Sequence, residues 1–209
     1  MTILALEFSS ERRSVALARG GAVVAEAVEQ TGGRGTDALG LIEKVLTESK
    51  VSREAIEVIV IGLGPGSYTG IRAAIAVAQG WQLARGVKLL GVSSVEAIAA
   101  QARVEKIYGR VNVAIDAQRG EFYLATWELS TAGRREIAPL KIVTAAEVAA
   151  LKSAGEICLG PEMTPLVFPT ASAVAQLAAG RTDFVAGEKL EPIYLRATTF
   201  VKAPVSRQF

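Results

Sequence analysis

The stretch VIVIGLGPGSYTGIR, Val58 to Arg72, decides the fold. Four β-branched apolar residues, Val58 to Ile61, predict a short buried strand, and the glycine-proline cluster after them turns the chain. The alanine-rich run from Ile71 to Arg85 predicts a long helix, closed by Gly86 as its C-terminal stop. Gly62, Gly64, Gly66 and Gly70 permit close backbone approaches, while Pro65 fixes its own φ and biases Gly64 away from helical geometry. Ser67 and Thr69 stand where a helix N-cap belongs. Two readings of the turn stand side by side. Its N–H groups, with a helix dipole behind them, suit an anion. Equally, any α/β protein needs such turns between strand and helix. No Gly-Lys-Ser/Thr ends the run, and counting from Gly62 the third glycine of a dinucleotide loop is replaced by Ser67.

Upstream, Ile3 to Phe8 predicts a strand with Glu7 near its end, followed by a polar turn over Ser9 to Arg13. Strands over Ser14 to Ala18 and Ala22 to Val28 follow, joined by a hairpin at Gly20-Gly21. Thr31 to Gly35 reads as a glycine-rich loop. Thr36 or Asp37 then caps a helix to about Lys50, with Leu39, Ile42, Val45 and Leu46 on its apolar stripe. Downstream, Lys88 to Val92 predicts a strand, and Ser93 or Ser94 caps a helix through Gln101.

From Val111 the pattern restarts. VNVAIDAQRGEFYLATWEL predicts a strand ending at Asp116, a turn over Ala117 to Gly120, and a return strand to Leu129. Beside TILALEFSSERRSVALA, both stretches read as apolar strand, acid, polar turn with arginine, apolar strand, with Glu7 matching Asp116. A repeated unit predicts two duplicated lobes. Helices over Val143 to Lys152 and Ala171 to Ala179 flank a strand over Glu156 to Leu159, and the tail carries Pro192-Ile193-Tyr194-Leu195-Arg196.

Composition narrows the chemistry. The 209 residues are 50% hydrophobic with a formal net charge of +2, enough for a core and too mild for a nucleic-acid footprint. The pairs Arg12-Arg13 and Arg134-Arg135 read as solvated turns, and Tyr68, Trp81 and Trp127 as core or interface residues. Cys158 is the only cysteine, in an apolar segment, and reads as a small buried residue. There is no histidine. Zinc sites of N and S ligands, and Ser-His-Asp or Cys-His nucleophiles, are thereby excluded within this sequence. Glu7 and Asp116, at strand ends, remain candidates for a hydrated Mg²⁺ beside phosphates, or for capping their own turns. No basic n-region or membrane-length apolar run is present, so the expectation is a soluble, cytoplasmic protein without membrane association.

Three segments carry a resemblance. GLGPGSYTGIRAAIAVAQGWQLARGVKLLGVSSVEAIA, VNVAIDAQRGEFYLATW and the tail PIYLR together resemble the TsaB (YeaZ) family of the actin-like, Hsp70-like ATPase superfamily. The resemblance implies an α/β fold of two actin-like (ribonuclease H-like) lobes, with duplicated mixed β-sheets flanked by helices. The lobes are expected over 1–104 and 105–209, the tail returning to the first. The implied role is that of a non-catalytic subunit required for threonylcarbamoyl transfer to adenosine 37 of tRNAs reading codons that begin with adenine. Its implied partners are a metal-bearing TsaD-like paralogue and a TsaE-like ATPase, with self-association as a homodimer when alone. The tRNA is reached only through the complex, and no cofactor is implied on this chain, ATP and metal sitting on the partners.

The partner-binding candidates are Leu39, Ile42, Leu46, Ala74, Val77 and Trp81, taken from the helical stripes; the alternative reading turns the same stripes to the chain's own sheet. The nucleotide- or anion-binding candidates are Glu7, Gly64, Gly66, Ser67, Thr69 and Asp116. The superfamily usually places aspartate where Glu7 stands, and Gly32-Gly33-Arg34-Gly35 occupies a loop in which relatives often carry a histidine. The rival reading is a stand-alone enzyme of the same fold, a nucleotide-binding phosphotransferase or a glycoprotease-like hydrolase.

Overall fold

The structure, a computed structural model, describes residues 1–30 and 37–196. The expected loop over 31–35 and the end of the tail beyond 196 lie outside these.

A meander opens the chain: β1 (Thr2–Glu7), β2 (Arg12–Arg19) and β3 (Ala22–Gln30) pair antiparallel. Helix α1 (Ala38–Ser49) crosses over, capped by the Asp37 carboxylate accepting from the Gly40 N–H at 2.9 Å. Strand β4 (Val58–Gly62) then lies parallel to β1. Helix α2 (Tyr68–Arg85) leads to β5 (Lys88–Val92), parallel to β4, giving the sheet order β3-β2-β1-β4-β5. Helix α3 (Ser94–Val104) leads away from this sheet.

The second sheet repeats the plan. Strands β6 (Gly109–Asp116), β7 (Glu121–Leu129) and β8 (Arg134–Thr144) form the meander. Helix α4 (Ala145–Ser153) crosses to β9 (Ile157–Leu159), parallel to β6. The order is β8-β7-β6-β9, and α5 (Ala171–Ala178) follows. This is the two-lobed actin-like arrangement, with Glu7 and Asp116 closing equivalent strands.

Strand β8 is absent from the sequence reading, which begins a helix at Val143. Arg134 and Arg135 open this strand rather than forming a solvated turn, and Arg12 and Arg13 likewise open β2. Arg13 is buried, directly across from Glu29 on β3.

Helices α1 and α2 cover one face of the first sheet. Leu41, Ile42, Val45 and Leu46 share a core with Ile71, Ala74, Ile75 and Ala78 over Leu4, Leu6, Ile59 and Ile61. Each large aliphatic side chain buried this way contributes roughly 1.5–3 kcal/mol. The opposite face is covered from far along the chain. Ala171, Val174, Ala175 and Ala178 of α5 pack on Ile3, Ala5, Val58, Val60 and Leu90. Conversely, Val95, Ile98, Ala99 and Ala102 of α3 pack on Val111, Val113 and Ala125 of the second sheet. The helices thus cross the boundary drawn after residue 104 in both directions. Among the described residues no helix is long and apolar enough to cross a membrane.

Candidate functional site

Equivalent ends of the two sheets face each other across a cleft of about 710 Å³. Ser9, Ser10 and Glu11, after β1, form part of one wall with Gly66, Ser67 and Tyr68 at the start of α2. The end of β6 and its hairpin, Ile115 to Arg119, form the opposite wall with Tyr123, Pro161 and Glu162. Tyr194 and Arg196 complete the lining.

The first wall is built by close backbone approach. Gly66 has a φ of +144°, and a Cβ there would fall 2.1 Å from the Ser9 carbonyl oxygen. That carbonyl accepts the Ser67 N–H at 2.6 Å, locking the two turns together. The Ser67 hydroxyl is the N-cap of α2, accepting from the Gly70 N–H at 3.3 Å and standing 3.5 Å from the Arg13 guanidinium. With Ser67 as its cap the helix begins at Tyr68, three residues before the predicted Ile71, and Thr69 lies inside the first turn as an exposed residue.

Of the six nucleotide or anion candidates, the structure brings Gly66, Ser67 and Asp116 to the cleft. Glu7 is a correction. Its side chain is fully buried beneath the turn, Oε1 accepting the Ser9 N–H at 2.8 Å and Oε2 the Ser94 hydroxyl at 2.8 Å. Burial pushes this carboxyl above its ordinary value of 4.5, against the lowering effect of those hydrogen bonds. Gly64 is buried too: its N–H donates to Ser94 Oγ at 3.1 Å and its carbonyl accepts the Ser94 N–H at 2.8 Å. Ser94 is thereby a tie between turns, and Ser93 takes the cap position of α3.

Asp116 caps its own turn. Oδ1 accepts the Gln118 N–H at 2.8 Å and Oδ2 the Gln118 side-chain amide at 2.7 Å. Its own N–H donates to Glu162 Oε2 at 3.2 Å. Burial raises the Glu162 carboxyl above its ordinary value, and the neighbouring charges of Asp116 and Glu11 add to the rise. Of the pair suggested for a Mg²⁺-nucleotide, Glu7 is enclosed beneath the turn and Asp116 reaches the cleft, where Glu11 and Glu162 add two further carboxylates. Among the described residues no three His, Cys, Asp or Glu side chains are disposed to hold a metal ion.

The sequence reading overlooked Glu162, Tyr123, Tyr194 and Arg196. Tyr194 meets Tyr68 edge-to-face with ring centroids 5.0 Å apart, and the Arg72 guanidinium lies 5.1 Å from the Tyr68 ring centre. The PIYLR tail was the available signal, its tyrosine and arginine standing in one short segment.

The partner-binding candidates divide. Ile42, Leu46 and Ala74 are corrected: they are buried in the chain's own core. Val77 and Trp81 are half-buried against the same core, and Leu39 is 69% exposed. The apolar stripe marks the face each helix turns to its own sheet. The outward face of α2 carries Ala76, Gly80, Leu83 and Ala84, with Leu83 91% exposed.

Comparison with known proteins agrees with this architecture. The family model described as "TsaD: tRNA N6-adenosine threonylcarbamoyltransferase" matches residues 35–195. The tRNA threonylcarbamoyladenosine biosynthesis protein TsaB of Escherichia coli (strain K12) is 36% identical over 128 residues, covering 61% of this chain and 55% of that protein. Its counterpart in Bacillus subtilis (strain 168) is 28% identical over 140 residues, covering 66% of this chain and 60% of that protein. The chain thus aligns with just over half the length of these curated relatives. The solved structure of YeaZ from Pseudomonas aeruginosa superposes with a TM-score of 0.76 at 28% identity, covering 93% of this chain and 99% of that one. The family match over most of the chain, the TsaB relatives and the shared fold lead to one assignment: the chain belongs to the TsaB (YeaZ) family, within the wider family of the TsaD model.

Proposed function

We propose that the chain is a structural and activating subunit in tRNA threonylcarbamoyladenosine biosynthesis. It binds a metal-bearing TsaD-like paralogue, which with a TsaE-like ATPase transfers the threonylcarbamoyl group to adenosine 37 of tRNAs reading codons that begin with adenine. Metal and ATP belong to those partners, this chain carrying no cofactor of its own, and the assembly works in the cytoplasm.

One observation carries the reading: the outward face of α2, where small residues flank Leu83. Ala76, Gly80 and Ala84 allow another helix to approach closely, and Leu83 supplies an apolar anchor. The names of the E. coli and B. subtilis relatives support the pathway. The absence of histidine in the sequence suits a subunit that relies on a partner for metal.

Size-exclusion chromatography with light scattering tests it, using the chain alone and mixed with the TsaD-like paralogue of the same organism. A heterodimer peak that disappears with Leu83→Glu is expected. Failure to associate at tens of micromolar, with or without nucleotide, overturns it.

A further inference from the structure

Residues 185–196 run back over the molecule and touch both walls of the cleft. The Val185 N–H donates to the Leu89 carbonyl at 2.9 Å, adding a bridge to the edge of β5. Gly187 is held twice by α2. Its N–H reaches Gln82 Oε1 at 2.8 Å, and its carbonyl accepts from Gln79 Nε2 at 2.8 Å. Leu190 is buried in the core that α1 and α2 share. The Ile193 N–H then donates to the Leu63 carbonyl at 2.8 Å, and Tyr194 meets Tyr68 at the start of α2.

Two residues later the segment is bound to the other sheet. Arg196 donates to the Ala117 carbonyl at 3.1 Å and pairs with the Glu121 carboxylate, both on the β6–β7 hairpin. Tyr194 and Arg196 both line the cleft. We propose that residues 185–196 form a latch across the cleft, holding its two walls at one spacing and tying that spacing to α2.

The chemistry suits a contact that opens and closes. The Arg196–Glu121 pair is about one-third exposed on each side, so water screens it and its rupture is reversible. The attachments to α2 and Leu63 are hydrogen bonds of ordinary length around a buried leucine, a firmer anchorage. The weak end is therefore at the hairpin and the strong end on α2. The inference does not depend on the partner-subunit reading, because every contact lies within this chain.

Hydrogen exchange by mass spectrometry on the full chain tests it through effects that cross the cleft. Tyr194→Ala removes the contact on the first wall; exchange at the Ala117 and Glu121 amides of the second wall is expected to rise about tenfold. Glu121→Gln removes the ion pair on the second wall; because that pair is screened, exchange at the Gly187 and Ile193 amides is expected to rise by a smaller factor, about two- to fivefold. Amides of β1 and β4 stay unchanged in both variants. Effects confined to the mutated wall overturn the latch, leaving two unrelated local contacts. A uniform rise reaching β1 and β4 overturns it as well, since it reports general destabilisation.

Discussion

The Glu7 carboxyl and the Ser94 hydroxyl lie 2.8 Å apart, although 87 residues separate them in sequence. The bond joins the end of β1 to the start of α3 beneath the turn between β4 and α2. Gly62 completes the fit: a Cβ there would fall 1.9 Å from Glu7 Oε2.

Gly62→Ala is accordingly expected to destabilise the chain by about 1–3 kcal/mol, the usual cost of overpacking. If the Glu7 side chain is the obstacle, the same substitution in a Glu7→Ala background costs much less. Urea unfolding of the four proteins of this cycle measures the coupling, and simple additivity would assign the strain elsewhere.

The buried carboxyl also sets a pH dependence. Its folded pKa lies above the ordinary value of 4.5, so folding disfavours the ionised form. The contribution of Glu7 to stability is fully present below the unfolded pKa and is lost as pH rises through the folded one. Relative to Glu7→Gln, the wild-type chain should therefore lose stability between acidic pH and pH 8. Urea midpoints that keep a constant gap across this range would refute the sign.

The two faces of the helices separate stability from association. Ile42→Ala removes a core side chain of α1 and is expected to cost about 2–5 kcal/mol. Leu83→Glu, on the outward face of α2, should leave stability within about 0.5 kcal/mol while abolishing association with the paralogue. Thermal melts alongside chromatography distinguish them; a large loss of stability in Leu83→Glu would place that residue in the fold instead.

Of the two hydroxyls at the start of α2, Ser67 caps it and Thr69 lies within its first turn. Ser67→Ala should cost about 1 kcal/mol, whereas Thr69→Ala should be close to neutral. Equal costs in urea unfolding would contradict the capping geometry.

Much of this architecture was legible in the sequence because each element satisfied several rules at once. Val58 to Ile61 is apolar throughout, the turn is glycine-rich, and Gly86 ends α2 in a left-handed conformation, with φ +68°. Strand β8 escaped because it breaks those rules. It lies at the sheet edge with mostly exposed residues, and its register with β7 shifts twice. Pro139 and Leu140 stand opposite Ala125 alone, which lets proline enter a strand at a bulge. The orientation of Glu7 was hidden for a different reason. Every residue of β1 is buried, so alternation carries no information about which way the acid points. The cleft tyrosines come from α2, β7 and the tail, a convergence that no local pattern encodes.

The exchange of helices between the sheets bears on how the chain reaches its native state. The Ala171 N–H donates to Ser14 Oγ at 2.8 Å across 157 residues, where α5 covers the first sheet. While the chain is being synthesised, β1, β4 and β5 therefore emerge long before the helix that covers Ile3, Val60 and Leu90. Until then that apolar surface is open to water and to other chains, a state in which proteins aggregate or recruit chaperones. The order of synthesis thus leaves that face of the first strands uncovered until α5 has been made.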